Sequence, residues 1–151
     1  MEKKYFSWEE INMFAGELAS KIQASGFMLD CLVGITAGGL IPLGLLAKKL
    51  DSNAVLTVSA SSYNDANQKT GKPTVWNLPT LDLNGKKVLL IDEIAETGET
   101  LEAVKKMLIE KCNAGDIKTA VLGIHKKKCT VVPDFYIFAE EIWIVFPWEE
   151  R

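Results

Sequence analysis

The sequence is poor in the residues on which several kinds of protein chemistry depend. It has one histidine, His125, and three cysteines, Cys31, Cys112 and Cys129, which lie far apart along the chain. An odd number of widely spaced cysteines fits neither a disulfide framework nor a zinc cluster. A cysteine–histidine catalytic pair would have to use His125, and we do not favour that chemistry.

Long apolar runs and a basic excess are also missing. No stretch approaches the roughly 18 apolar residues that span a bilayer, and residues 1–7 have no run typical of a signal peptide. The net charge is −3 and the isoelectric point about 5.3, whereas a nucleic-acid surface usually brings a basic excess. We therefore expect a cytoplasmic protein that binds neither membrane nor nucleic acid, with any phosphate site built locally.

The composition that remains is ordinary for a globular protein. The chain has 151 residues, of which 48% are hydrophobic and 25% charged. These proportions exclude a disordered chain. The length favours a single domain over residues 1–151.

The hydrophobic pattern alternates between strands and helices. Ser7 and Glu10 form a capping box, and apolar residues follow at helical spacing up to Gly26. Further strands are predicted over 31–35, 54–60, 88–92, 119–124 and 135–138, helices over 40–50 and 99–111, and a last apolar segment over 142–146. This alternation indicates an α/β fold with a mostly parallel sheet flanked by helices. Ligands of such sheets bind beyond the carboxyl ends of the strands.

The strongest functional signal follows the buried strand at 88–92. Two adjacent acids, Asp92 and Glu93, precede a Thr-Gly-Glu-Thr loop at 97–100 that opens a helix. The amides and dipole of a helix N-terminus suit a phosphate, and the acids suit ribose hydroxyls or a magnesium ion. The segment therefore fits a sugar phosphate. A plainer interpretation is that the acids end the strand and Thr97 caps the helix.

This run of four apolar residues, two acids and Thr-Gly-x-Thr resembles the phosphoribosyl-pyrophosphate (PRPP) motif of type I phosphoribosyltransferases. The resemblance implies that residues 95–100, the phosphate loop, hold the ribose 5-phosphate. It also implies that Asp92 and Glu93 face the ribose diol or a Mg²⁺ ion. Glu96 takes the place of an aspartate proposed as general base, so Glu96, Asp92 and Glu93 are the catalytic candidates. The PRPP-binding candidates of the phosphate loop are Ala95, Thr97, Gly98, Glu99 and Thr100.

A second glycine-bearing loop follows the first predicted strand. It contains Thr36, Ala37, Gly38 and Gly39, and paired glycines let backbone amides face an anion. The segment resembles the pyrophosphate loop of the family, and by that resemblance these four residues bind PRPP. Many purine members have an arginine where this chain has Ala37. A tight turn is the plainer interpretation of the glycines alone.

The segment over 61–79 is polar and rich in turn residues, including Gly71 and Pro73. A stretch this long without periodicity is usually disordered or a functional lid. It is similar to the flexible catalytic loop of the family, and the resemblance implies that Ser62 and Tyr63 bind PRPP. Such a loop would close over the substrate and exclude water. A solvated connector is the alternative.

The segment over 125–151 resembles the base-binding part of bacterial xanthine-guanine phosphoribosyltransferases, which have a lysine after a strand and a Trp-Ile-x-x-Pro-Trp ending. The resemblance implies that Lys126 contacts the base oxygen, that Trp143 stacks on the ring and that the backbone of Ile144 reads the ring edge. Lys127 and Lys128 stay open as alternatives to Lys126.

The second tryptophan of that ending, Trp148, is assigned to core packing. The fold class, the motifs and this ending together predict a purine phosphoribosyltransferase. It would transfer the 5-phosphoribosyl group from PRPP to a 6-oxopurine with Mg²⁺ and release pyrophosphate, and by resemblance it would form a homodimer or homotetramer. Two rivals stay open: an enzyme for another base, and a non-catalytic nucleotide-sensing regulator. The latter is kept open by Ala37, Glu96 and Glu99, which depart from the commonest enzyme pattern.

Overall fold

A computed structural model describes residues 2–63 and 69–149, with only the backbone described for Tyr63, Lys69 and Thr70. The strands in chain order are β1 Lys3–Tyr5, β2 Cys31–Thr36, β3 Val55–Tyr63, β4 Lys69–Trp76, β5 Val88–Ala95, β6 Ile117–His125, β7 Phe138–Glu140 and β8 Trp143–Val145. The helices are α1 Trp8–Ala24, α2 Leu40–Lys49 and α3 Glu99–Cys112, followed by a 3₁₀ turn at Pro147–Glu149.

The main sheet has six strands in the order β4-β3-β2-β5-β6-β7. All neighbouring pairs are parallel except β3–β4. The central strand β5 is buried on both faces of the sheet. Val88 and Leu90 pack into the core on one face, and Leu89 and Ile91 pack into the core on the other. A strand that is apolar on both sides needs helices over both faces. The predicted α/β fold with a mostly parallel sheet is confirmed.

The helices cover the two faces unequally. α1 and α2 pack together over one face, where Leu18 and Leu46 are fully buried, while α3 covers the other face with Val104 and Leu108. The predicted capping box begins α1: Ser7 Oγ accepts a hydrogen bond from the Glu10 amide at 3.1 Å, and Glu10 Oε2 accepts one from the Ser7 amide at 2.8 Å. None of the helices in the described ranges combines the length and apolar character needed to cross a bilayer.

The interpretation of 61–79 as a segment without regular structure needs correction. β3 continues to Tyr63, and Lys69–Trp76 forms β4, which pairs antiparallel with β3 at the edge of the sheet. The turn residues Gly71 and Pro73 hid this strand. An edge strand tolerates both, because one side of its backbone has no partner strand. Residues 64–68 of the predicted loop lie outside the described residues.

The C-terminal part also differs from the predicted elements. The strand predicted over 135–138 lies later in the chain, at Phe138–Glu140, and Phe135 makes only an isolated bridge to Ala120. The last apolar segment contains β8, which pairs in parallel with β1 in a separate two-stranded sheet. β1 was not predicted, since Lys3–Tyr5 is short and exposed and its polar sequence has no apolar period. This pairing anchors the C-terminal segment beside α1.

Candidate active site

The two glycine-bearing loops meet at the carboxyl ends of two neighbouring parallel strands. β2 ends at Thr36 and β5 at Ala95, and the two strands pair directly. Between them lies a cleft of about 320 Å³, which we call the ribose–phosphate cleft. Such a crevice is where ligands bind in open parallel sheets. Its lining includes Thr36, Ala37, Gly38, Ser61, Ser62, Asp92, Glu93, Ala95, Glu96, Thr97, Gly98 and Thr100.

The pyrophosphate loop at 36–39 is built by close backbone packing. Thr36 Oγ1 lies 2.9 Å from Ser59 Oγ of β3, and the Thr36–Ala37 peptide bond is cis. A β-carbon added to Gly38 would overlap the carboxylate of Glu93, and one added to Gly39 would lie 2.5 Å from the Ile35 carbonyl oxygen. The backbone contact at position 39 therefore needs glycine, whereas at position 38 a β-carbon would displace the carboxylate of Glu93. Of the four predicted residues, Thr36, Ala37 and Gly38 line the cleft, while buried Gly39 lies beneath it.

The phosphate loop is fixed from behind by the segment that follows β6. The Thr97 carbonyl oxygen accepts hydrogen bonds from the amides of Thr130 and Val131, each at 3.1 Å. Gly98 has a φ of 89°, and a β-carbon on it would overlap the Val131 carbonyl. Glycine adopts this left-handed conformation without steric cost. The loop is thus held in one backbone shape at the N-terminus of α3.

The side chains of the phosphate loop divide into two groups. Thr97 and Thr100 line the cleft, and Thr100 Oγ1 lies 3.2 Å from Ser62 Oγ, which links the loop to the β3–β4 hairpin. Glu99 is exposed and does not line the cleft among the described residues. Thr97 Oγ1 also accepts a hydrogen bond from the Glu99 amide at 3.2 Å, but the N-cap of α3 is Gly98, so the plainer interpretation of Thr97 as the N-cap is wrong. The side chain of Tyr63 lies outside the described residues.

The two acids after the buried part of β5 have raised pKa values. Burial raises the pKa of Asp92 to about 8, with a further contribution from the charge of Glu93, while the Glu93 amide opposes the shift by donating to Asp92 Oδ1 at 2.8 Å. Burial likewise raises the pKa of Glu93; the Trp148 indole opposes this and Glu149 adds to it. Carboxylates with raised pKa values in a cleft are typical of functional sites.

The donor set of these acids fits a magnesium ion shared with a substrate. Magnesium usually binds through one or two protein carboxylates together with substrate oxygens and water. Asp92 and Glu93 supply two carboxylates, each with one oxygen engaged by the protein. Within residues 2–63 and 69–149 there is no cluster of three or more metal-ligating side chains, so a metal here would depend on the substrate to complete its shell.

A second cavity of about 440 Å³ adjoins the cleft, and we call it the base cavity. It shares Glu93, Ile94 and Glu96 with the ribose–phosphate cleft. Trp143 and Ile144 both line it. The side chain of Trp143 is 52% exposed, whereas that of Ile144 is buried, with 6% exposed. The structure therefore places Glu96, Trp143 and Ile144 in the lining of one cavity.

Among the three candidate lysines, the structure brings Lys128 to the base cavity. Lys128 lines the cavity, and its Nζ lies 3.3 Å from Glu96 Oε1. Lys126 and Lys127 are exposed on the turn and do not line it, and Lys127 pairs instead with Glu141 at 3.3 Å. His125 shapes this turn, since its Nδ1 accepts hydrogen bonds from the amides of Lys127 and Lys128.

Sequence reasoning missed one contact at the border of the two cavities. Trp148 does pack as predicted, stacking on Phe146 at 4.7 Å between ring centroids. Its indole N–H also donates to Glu93 Oε2 at 2.7 Å. Phe146, His125 and Glu149 line the base cavity as well. Nothing in the local sequence announces these roles, because the partners lie far apart along the chain.

Comparison with known proteins identifies the family. The Phosphoribosyl transferase domain model matches residues 2–151. A xanthine-guanine phosphoribosyltransferase of Cereibacter sphaeroides is 30% identical, over 96% of this chain and 86% of that protein. Among solved structures, a purine phosphoribosyltransferase from Pyrococcus horikoshii superposes with a TM-score of 0.84 at 34% identity, covering 100% and 97% of the two chains.

A third similar structure is a hypothetical protein from Neisseria gonorrhoeae with bound ppGpp. It has a TM-score of 0.82 and 28% identity, with 99% of this chain and 90% of that chain covered. These matches span nearly the whole chain. The chain therefore belongs to the phosphoribosyl transferase domain family, and the predictions of this family, of its α/β fold and of an enzyme are confirmed.

Proposed function

We propose that the protein is a purine phosphoribosyltransferase that transfers the 5-phosphoribosyl group of PRPP to a 6-oxopurine and releases pyrophosphate. One observation carries the proposal: a polar cleft with two anion-type loops adjoins a cavity with an exposed tryptophan, and the two share Glu93, Ile94 and Glu96. A reaction that joins a sugar phosphate to a flat base needs this arrangement, with the bond forming at the shared border. The purine phosphoribosyltransferases among its relatives support the same choice.

In this proposal the phosphate loop binds the 5-phosphate through the amides at the N-terminus of α3. Thr97 and Thr100, which line the cleft, add hydroxyl donors. Asp92 and Glu93 accept hydrogen bonds from the ribose diol. The cleft thus orients the anomeric carbon toward the base cavity, and orientation of this kind can supply much of the rate enhancement.

The diphosphate would lie along the pyrophosphate loop, against Thr36, Ala37 and Gly38. Asp92 and Glu93 would hold magnesium beside it, and the ion, when bound, would supply the positive charge that Ala37 does not. The loop amides stabilise the leaving group electrostatically. The hairpin of β3 and β4, joined to the phosphate loop through Ser62 and Thr100, would help exclude water from the cleft.

The base would stack on the exposed face of Trp143, with the backbone of Ile144 at its edge. We propose Lys128 as the donor to the 6-oxo group, in place of Lys126, because Lys128 lines the cavity. Glu96, 3.3 Å from Lys128, would lie near the ring nitrogen that attacks and could accept its proton.

The charge of the base cavity favours some purines over others. Three of its glutamates have lysine partners: Glu96 with Lys128, Glu140 with Lys4 and Glu141 with Lys127. The glutamates along the whole lining are Glu2, Glu93, Glu96, Glu140, Glu141 and Glu149. A negative cavity attracts the amino and N–H donors of guanine and disfavours xanthine, which loses a proton near neutral pH. We therefore propose guanine and hypoxanthine as better substrates than xanthine.

The test is a direct assay of pyrophosphate release. The protein is mixed with PRPP, magnesium and each of guanine, hypoxanthine, xanthine, adenine, uracil and orotate. We expect turnover with guanine and hypoxanthine, slower turnover with xanthine and none with adenine or the pyrimidines. A pyrimidine as the best substrate would overturn the purine assignment.

The second candidate is a nucleotide-binding regulator without turnover. It is favoured by Ala37, Glu96 and Glu99, and by the similar Neisseria gonorrhoeae structure with bound ppGpp. If no base gives pyrophosphate release and calorimetry shows micromolar binding of a guanine nucleotide, the regulator is favoured over the enzyme.

We also propose that the protein acts in purine salvage in the cytoplasm as a homodimer or homotetramer, as the relatives' activity and the resemblance to the family favour. Sedimentation equilibrium of the purified chain measures the assembly directly. A monomer at micromolar concentration would contradict this part of the proposal.

A further inference from the structure

The carboxylate of Glu93 is held from two sides by distant parts of the chain. On one side it lies against Gly38 of the pyrophosphate loop, so closely that a β-carbon at position 38 would overlap it. On the other side the indole N–H of Trp148 donates to Glu93 Oε2 at 2.7 Å. Glu93 thus lies between the ribose–phosphate cleft and the C-terminal segment that forms the base cavity.

The indole that holds Glu93 is itself fixed by packing. Its ring lies parallel to Phe146, with 4.7 Å between centroids and 3° between planes, and it meets Trp8 of α1 at 5.8 Å and 51°. Phe146 is 1% exposed and lines the base cavity. The Phe146 amide donates to Glu149 Oε2 at 3.0 Å, which closes the turn that carries Trp148. The donor to Glu93 therefore has a defined position.

A glutamate has three side-chain torsions and loses rotamer freedom when it is ordered. An N–H donor whose position is already fixed selects one orientation of the glutamate's carboxylate. A hydrogen bond to a charged group is also stronger than one between neutral groups. With Oε2 engaged by Trp148, the other oxygen of Glu93 is left to act in the cleft. Trp148 is thereby connected to the ribose end of the site without lining the ribose–phosphate cleft itself.

We propose that Trp148 is a positioning residue for Glu93: it orients the carboxylate that contacts the ribose or its metal, and it joins the wall of the base cavity to the ribose–phosphate cleft. The proposal rests on the proposed function, in which Glu93 contacts bound PRPP. It assigns to the last tryptophan of the chain a role in PRPP binding, and no role in stacking on the base.

The test replaces Trp148 with phenylalanine, which keeps a flat ring on Phe146 and removes the N–H donor. Calorimetry with PRPP and magnesium, without any base, measures the binding that Glu93 supports. We expect W148F to weaken PRPP binding by about tenfold, the effect of losing one hydrogen bond to a charged group. The matched control is W8F, which removes an indole that packs against the Trp148 ring and is not the donor to Glu93. We expect W8F to bind PRPP as the wild type does.

Steady-state kinetics separate positioning from loosened packing. If Trp148 acts through Glu93, W148F raises the KM for PRPP while the KM for the base stays within about twofold. If the ring only supports the cavity wall through Phe146, the KM for the base rises instead, and the proposal is wrong. In an E93A background, W148F should have no further effect on PRPP binding; an equal tenfold loss in both backgrounds would also overturn it.

Thermal unfolding checks that each variant is folded. Should W148F fail to fold, the same binding experiment is done with benzothienylalanine at position 148, which has the shape of tryptophan with sulfur in place of the N–H. The calorimetric result is independent of the choice of base. A wild-type chain that binds PRPP but reacts with no purine refutes the proposed function and leaves the W148F comparison decisive, whereas a chain that does not bind PRPP refutes both.

Discussion

The two cavities of the site are built in different ways. The ribose–phosphate cleft is formed mainly by two short loops, 36–39 and 95–100, each following a buried strand. At Gly39 and Gly98, backbone contacts leave no room for a β-carbon, and at Gly38 the carboxylate of Glu93 takes that space. The base cavity is formed by side chains from four separate segments, at residue 2 and within 93–96, 125–128 and 140–149.

Because of this difference, the ribose–phosphate cleft is the part of the site that substitutions can change least, and the base cavity is the part that they can adjust. A phosphate is bound by backbone amides whose positions the sheet fixes, so that part has little freedom to change. A base is read by side chains on loops, where one substitution can alter a hydrogen bond without moving the sheet. Glu93 and Glu96 belong to both parts and form the border at which the reaction would occur.

The largest expected effect on activity comes from replacing the two acids of the ribose–phosphate cleft, Asp92 and Glu93. The double substitution D92N/E93Q keeps the shape of both side chains and removes the carboxyl groups that could hold a metal or accept from the ribose diol. We expect it to lower kcat/KM by about a thousandfold, the scale of losing preorganised electrostatic contacts, while the chain stays folded. Pyrophosphate release and circular dichroism measure the two properties. A folded double mutant with wild-type activity would contradict the assignment of the cleft.

Next in size is an effect on the rigidity of the phosphate loop. G98A adds a β-carbon at a φ of 89° and against the Val131 carbonyl, so we expect a loss of about 3 kcal/mol in the free energy of unfolding. G44A is the matched control, because a β-carbon there meets no atom within 4 Å in α2 and should stabilise the helix by about 1 kcal/mol. Urea denaturation measures both, and equal effects would show that the loop is not constrained as described.

The buried acid of the cleft should make stability depend on pH. Burial raises the pKa of Asp92 from 3.8 to about 8, so between those values the folded chain keeps a proton that the unfolded chain has lost. Unfolding then releases a proton, and the contribution of Asp92 to stability falls as the pH rises from about 4 to 8. D92N has no such loss.

The measurement is urea denaturation of wild type and D92N in metal-free buffer at pH 4 and pH 8. The stability of D92N relative to wild type should increase by about 2 kcal/mol between these two pH values, less than the full shift implies, because Asp92 also lines the open cleft, where solvent screens its charge. A difference that is constant with pH would contradict the buried environment of Asp92.

The smallest expected effect concerns the adjustable part. K128A removes the lysine that lines the base cavity, and we expect the KM for guanine to rise about tenfold because a hydrogen bond to a charged donor is lost. K126A changes an exposed residue of the same turn and should alter the KM by no more than about twofold. Steady-state kinetics compare the two, and a larger effect of K126A would restore the assignment that the family resemblance implies.

The cleft was easier to predict from the sequence than the cavity for a physical reason. The acids and the phosphate loop are consecutive from Asp92 to Thr100. Because ligands bind at the carboxyl ends of strands in a parallel sheet, residues that follow one another after such a strand also lie together in the cleft. The same reasoning explains the success with β2, β5 and α1, whose apolar patterns or caps are complete within one segment. The strand β4 was missed because its edge position permits Gly71 and Pro73.

The base cavity depends on long-range pairing that has no local signature. The pairing of β1 with β8 positions Trp143, yet Lys3–Tyr5 shows no apolar pattern of its own. The choice among Lys126, Lys127 and Lys128 depends on how His125 shapes the turn, and the bond between Trp148 and Glu93 joins residues 55 positions apart. The resemblance to a family could supply the region of the base site but not these contacts.

A crystal structure of the protein with PRPP and magnesium tests the central claim most directly. The account predicts the 5-phosphate at the backbone amides of 95–100, the ribose diol at Asp92 and Glu93, and the diphosphate along 36–38. Electron density for the sugar phosphate at any other place, with this cleft blocked by side chains, would contradict it.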